Sequence, residues 1–166
     1  MTPILTVTLN PALDIATTAD GVRPGPKLRC DAPRIDAGGG GINVSRVIAR
    51  LGGASTAFVA LGGATGQRLS TALAAEKIVT QPYPAPGETR ESLSVTDRET
   101  GGQYRFLLPG PVWTGRQGKT VLTAIADAAP EGALVVLSGS LPPGLPGDLP
   151  ALLTRRLARK AARLVL

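Results

Sequence analysis

Histidine is absent from the 166 residues, and with it goes imidazole as a general base, a nucleophile's partner or a metal ligand. A Ser-His-Asp hydrolase and a His- or Cys-based zinc site are thereby excluded. Cysteine occurs once, as Cys30, so no intrachain disulfide can form and a reducing, cytoplasmic setting is the expectation. Aromatic residues make up only 3% of the chain, and the net charge of +6 is scattered apart from Arg155-Arg156 and Arg159-Lys160. That combination lacks the stacking platforms of a nucleic-acid surface, and no nucleic-acid partner is expected. No apolar run approaches the roughly 20 residues of a membrane span, and no basic segment leads into an apolar one near Met1. No membrane partner is expected either. Asp, Glu, Lys, Tyr and Ser remain as the available chemistry, on a chain whose 43% hydrophobic content suffices for one domain with a core.

What the chain has in quantity is glycine, and four stand together as Gly38-Gly39-Gly40-Gly41 directly before Ile42-Asn43-Val44-Ser45-Arg46-Val47-Ile48. Without β-carbons this backbone can approach a ligand closely and adopt positive φ. The N–H groups and dipole of the helix start that follows favour negative charge or polarised oxygens. Val44, Val47, Ile48 and Leu51 recur at helical spacing and predict one buried stripe, ended by Gly52-Gly53.

Along the rest of the chain, short strands alternate with helices of about three turns. Ile4 to Leu9, Ser55 to Leu61, Ile78-Val79, Ala133 to Leu137 and Arg163 to Leu166 read as strands; Thr65 to Glu76, the segment of Val121, Leu122 and Ile125, and the one following Asp148 read as helices. This alternation predicts a three-layer α/β fold around a mainly parallel sheet. Two segments break it, about 12–36 and 88–108, the second a hairpin turning at Asp97 to Gly102, and they predict a small β lid. Pro82-Tyr83-Pro84-Ala85-Pro86 reads as a stiff hinge into that lid.

Three motifs are incomplete. Gly118-Lys119-Thr120 ends like a phosphate-binding loop, but Trp113 occupies the position of its first glycine. The dinucleotide fingerprint fails because Asn43 or Val44 stands where its third glycine belongs. Ser138-Gly139-Ser140 follows a strand as a nucleophile can, yet lacks the elbow pattern and a histidine to activate it. It reads better as a hydroxyl and backbone cradle at the carboxyl end of a strand.

Taken together, Thr8-Leu9-Asn10-Pro11-Ala12-Leu13-Asp14, Gly25-Pro26-Lys27-Leu28-Arg29, Gly38 to Val44, Gly62-Gly63-Ala64-Thr65-Gly66, Gln103-Tyr104-Arg105-Phe106 and Ser138 to Gly144 resemble the amino-terminal half of a PfkB-type sugar kinase of the ribokinase-like superfamily. The resemblance implies an ATP- and Mg2+-dependent phosphotransferase acting on the 1-hydroxyl of fructose 6-phosphate. Relatives acting on fructose 1-phosphate or tagatose 6-phosphate usually carry lysine where Gly41 stands here. Those two activities, and a non-catalytic sugar-phosphate-binding piece, are the alternatives.

For single residues the resemblance implies that Asp14 accepts hydrogen bonds from sugar hydroxyls, that Gly39 and Gly40 pack their backbone on the sugar, and that Asn43 bonds the ligand's oxygens. Lys27, Arg90 and Arg105 would surround the existing phosphate, and Ser140 would add a donor. The family's catalytic aspartate belongs to a Gly-Ala-Gly-Asp motif that this chain does not contain. The sites for ATP and Mg2+ belong mostly to the same carboxyl-terminal half. The expectation is therefore a fragment with the sugar site and lid but no catalytic base, which the family's habit would make a homodimer through the lid when full length.

Overall fold

The computed structural model describes residues 2–166. Its elements, in chain order, are β1 (Ile4–Thr8), β2 (Ala12–Ala19), β3 (Arg34–Gly38), α1 (Gly40–Arg50), β4 (Thr56–Leu61), α2 (Gly63–Ala75), β5 (Thr80–Pro84), β6 (Arg90–Asp97), β7 (Gln103–Leu107), α3 (Gly115–Ala128), β8 (Leu134–Leu137), α4 (Leu149–Leu157) and β9 (Arg163–Val165). Five strands form one sheet in the order β5-β4-β1-β8-β9, all parallel, and four form a second in the order β3-β2-β6-β7.

Alternation along the strands sets the layers of the main sheet. Leu5 and Val7 of β1, Phe58 and Ala60 of β4, and Val135 and Leu137 of β8 face α3 and α4, packing on Val121, Leu122, Ile125, Leu149, Leu153 and Leu157. Ala57 and Val59 face the other way, with Ile42, Leu69 and Leu73 of α1 and α2. The result is the three-layer architecture expected from the strand and helix alternation. Each fully buried leucine of α4 contributes about 1.5–3 kcal/mol. The first turn of α3 is fixed by a capping box, in which Thr114 accepts from the Gln117 amide while the Gln117 side chain accepts from the Thr114 amide.

Three local expectations are corrected. The buried face of α1 is Gly41, Ile42 and Ser45, whereas Val47 is 52% and Leu51 82% exposed. Small residues make this contact because α1 lies close on β1: Ser45 shares a hydrogen bond of 2.8 Å with Thr6, and the Ile42 amide donates to the Thr8 hydroxyl at 3.1 Å. A hydrophobic pattern cannot register a face built of glycine and serine. Pro82 and Pro84 are no hinge but part of β5, an edge strand, where a missing ladder donor is tolerated. Asp148 holds the N-cap position of α4 without a side-chain capping bond.

The close approach of α1 is a glycine requirement. A β-carbon on Gly41 would stand 2.6 Å from the Val7 carbonyl oxygen and 2.7 Å from the Thr8 hydroxyl, both parts of a strand that cannot move aside. Gly41→Ala should therefore destabilise the chain by about 1–3 kcal/mol despite alanine's helix propensity. Gly115→Ala, where a β-carbon meets nothing, should be neutral or stabilising by up to about 1 kcal/mol. Urea unfolding of the two variants against the parent checks the contrast.

Candidate functional site

The carboxyl ends of β1 and β8 and the start of α1 meet where the second sheet joins the body. Gly39 sits here with φ of 144°, a conformation that favours glycine, and a β-carbon on it would stand 2.6 Å from Thr8 Cγ2. A β-carbon on Gly40 would lie 2.5 Å from the Ser138 hydroxyl and 2.6 Å from the Gly139 amide nitrogen. One on Gly38 would overlap the Asp14 carboxylate. The glycine run is thus the surface on which Asp14, the 138–140 loop and the helix start come together.

The helix start is less open than its sequence suggests. The Gly41 amide donates to the Ser138 carbonyl at 3.1 Å and the Ile42 amide to Thr8, so two first-turn donors serve the fold. The amides of Gly39 and Gly40 have no acceptor among the described residues. These are the donors left for a ligand.

Asp14 lies in β2, with Asp36 of β3 opposite it on one side and Ser92 of β6 on the other. Directly opposed residues share a sheet face, so Asp14, Asp36, Ser92, Ser94 and Arg105 form one polar surface. Burial pushes the Asp14 carboxyl above its ordinary value, and Asp36 adds to the push; the Ser92 hydroxyl, Arg90 and Arg105 pull it partly back. Across from this surface stands Asn43 in the first turn of α1, and the two residues line one cleft of about 520 Å3 together with Asp36, Arg46 and Glu76.

Arg90, the first residue of β6, turns toward the body and donates through Nε and Nη2 to the Asn10 carbonyl at 3.3 Å each. Asn10 in turn donates through Nδ2 to the Ser140 hydroxyl at 3.1 Å. Asn10, which received no role from the sequence, is therefore the link between β6 and the loop after β8. Its Oδ1 is buried without a partner, as is the hydroxyl of Ser94 opposite Arg105.

The structure thus brings Asp14, Gly39, Gly40, Asn43, Arg90, Arg105 and Ser140 to one region. Lys27 stands apart. It is exposed in the connection from β2 to β3, beyond the bridge between Ala19 and Cys30, and Asp14 lies five residues back along β2, about 17 Å at strand rise. Among the described residues no three acidic, cysteine or histidine side chains come together.

The sequence profile of the pfkB family carbohydrate kinases matches residues 7–165, and the chain belongs to that family. It is 49% identical over 145 residues to the ATP-dependent 6-phosphofructokinase isozyme 2 of Mycobacterium tuberculosis, covering 87% of this chain and 43% of that protein. To the 1-phosphofructokinase of Xanthomonas campestris it is 35% identical over 166 residues, covering 98% of this chain and 51% of the relative. The crystal structure of phosphofructokinase-2 from Escherichia coli in complex with fructose-6-phosphate superposes with a TM-score of 0.90 at 39% identity, over 99% of this chain and 54% of that one. The chain spans about half the length of the curated relatives it matches.

The raised Asp14 proton affinity has a sign that can be measured. The folded chain holds this proton more tightly than the unfolded one, so ionising Asp14 opposes folding; the penalty is absent below the ordinary value of 3.8 and complete above the folded one. Asp14→Asn should raise the melting temperature at pH 7, with the gain shrinking to nothing as the pH falls below that range. Paired thermal melts across pH 3–8 check it.

Proposed function

We propose that the chain forms the sugar-phosphate site and lid of an ATP-dependent kinase that phosphorylates the 1-hydroxyl of fructose 6-phosphate. The observation that supports this reading is that Asp14 and Asn43 line one cleft, with Arg90 and Arg105 close enough to Asp14 to act on its charge and the Gly39 and Gly40 amides without an acceptor among the described residues. Sugar hydroxyls need acceptors and donors side by side, which Asp14, Asn43 and the glycine amides supply. A phosphate dianion needs charge-assisted donors, each worth about 1.5–3 kcal/mol, which Arg90 and Arg105 supply with Ser140 beside them. The relatives' activities, as 6-phosphofructokinase and 1-phosphofructokinase, support a phosphorylated ketose as the guest.

Fructose 6-phosphate is preferred over fructose 1-phosphate and tagatose 6-phosphate because Gly41 stands where those subgroups usually carry lysine. In this reading the phosphoryl donor ATP, its Mg2+ and the catalytic aspartate act from residues outside this chain. The chain binds and orients the acceptor sugar and holds no base for the transfer.

The second sheet's other face is apolar, with Ile35, Leu93, Tyr104 and Phe106 between 37% and 53% exposed. We propose it as the surface on which two lids pair in a homodimer. Lys27, exposed at the far end of the same sheet, is then available to the phosphate only if the neighbouring protomer's cleft lies near it.

Calorimetric titration tests the site. Fructose 6-phosphate should bind more tightly than fructose 1-phosphate or tagatose 6-phosphate, and Arg90→Ala and Asp14→Asn should each weaken it at least tenfold, while a coupled ATP assay shows no turnover. Equal affinity for the three sugars would contradict the substrate assignment, and turnover would contradict the absence of a base.

A further inference from the structure

Arg46 is only 19% exposed at its side chain and has a role that neither sugar contact nor core packing explains. Its guanidinium is almost fully engaged. Nε donates to Glu76 Oε2 at 2.5 Å and Nη2 to Glu76 Oε1 at 2.7 Å, a bidentate pair with the residue that closes the carboxyl end of α2. Nη2 also donates to the Ala37 carbonyl at 2.6 Å, next to the glycine run, and Nη1 donates to Asn43 Oδ1 at 2.7 Å. Three elements, α1, α2 and β3, are tied through one side chain whose last arm ends on a residue of the cleft.

The consequence is chemical. An asparagine side chain can present either its acceptor oxygen or its donor nitrogen, and nothing in its own geometry prefers one. Arg46 has no acceptor, so the Asn43 atom facing it must be the oxygen. Nδ2 is then the end left for the cleft, where Asp14 offers only acceptors in its ionised form. A donor and an acceptor held on two sides of one cleft suit a hydroxyl group, which accepts from the first and donates to the second. Glu76 fixes the plane of the guanidinium, and a lysine ammonium could not reproduce that fork.

We propose that Arg46, held by Glu76, is a positioning residue that sets Asn43 as a hydrogen-bond donor and so makes the Asp14–Asn43 pair specific for a sugar hydroxyl. The inference rests on the sugar-site reading above for its ligand, but not for the orientation of Asn43. Glu76, on a different helix, bears on Asn43 through the Arg46 guanidinium.

The test is a double-mutant cycle on the full chain, read by calorimetry with fructose 6-phosphate. Arg46→Lys should weaken binding about tenfold, the equivalent of about 1.4 kcal/mol, and Glu76→Gln about threefold. In an Asn43→Ala background Arg46→Lys should change nothing further, because its effect passes through the missing amide. An equal loss in both backgrounds, or undiminished affinity in the single variant, overturns the proposal.

A second readout needs no ligand. With 15N-labelled asparagine, the Asn43 side-chain amide of the parent should give one ordered pair of resonances that Arg46→Lys and Glu76→Gln broaden or shift. An unchanged pair in both variants also overturns it. If the parent binds no fructose 6-phosphate, the sugar-site reading falls while the amide resonances still decide the orientation. Should Arg46→Lys fail to fold, as judged by circular dichroism, Glu76→Gln carries both measurements.

Discussion

The near-contact of α1 with the end of β1 is the constraint on which every other feature of the site rests. A helix ordinarily stands about 10 Å from a sheet because side chains fill the gap. Here Gly41 meets the backbone of Val7, and Gly40 meets the loop after β8. Bringing the helix in this far sets its first turn at the joint between body and second sheet, where the amides of Gly39 and Gly40 have no acceptor among the described residues. The hydrogen bonds from Gly41 to Ser138 and from Ile42 to Thr8 then lock the arrangement, so the site is rigid on its body side.

The other wall is a sheet with two characters. One face carries Asp14, Asp36, Ser92 and Arg105, the other Leu13, Ile35, Leu93 and Phe106. Leu13 is buried on the body with Ala37 and Leu69, whereas the outer part of the apolar face is exposed. The same period of two that aims carboxylate and guanidinium groups into the cleft therefore leaves an uncovered apolar surface behind them. At the tip, Arg98 joins Asp20 at 2.8 Å and also meets Asp31 and Thr18, tying the connection that carries Lys27 to the β6–β7 turn. The polar face and the exposed apolar face follow from one pattern.

Much of this was legible in the sequence, and the exceptions share a cause. Strand and helix alternation announced the layers because Leu5, Val7, Val135 and Leu137 repeat in the manner of buried parallel strands. Asn43 stood out because its motif was distinctive, and Arg90 only through the family resemblance. The burial of α1 was misread because Gly41 and Ser45 carry no hydrophobic signal, and β5 was misread because its prolines look like punctuation until the strand is known to be an edge. Asn10 lay inside a recognised motif and Arg46 just beyond one, but both gained their roles only from hydrogen bonds to residues 130 and 30 positions away. Such distances leave no trace in local spacing. Lys27 is the reverse case, a residue marked by its motif that the fold of a single chain holds away from the cleft.

A crystal structure of the chain soaked with fructose 6-phosphate measures the central claim most directly. The account predicts the sugar against the Gly39 and Gly40 amides, one hydroxyl shared between Asp14 and the Asn43 nitrogen, and the phosphate within hydrogen-bonding distance of Arg90. Density for the sugar elsewhere, or a cleft holding only water at saturating ligand, would contradict it.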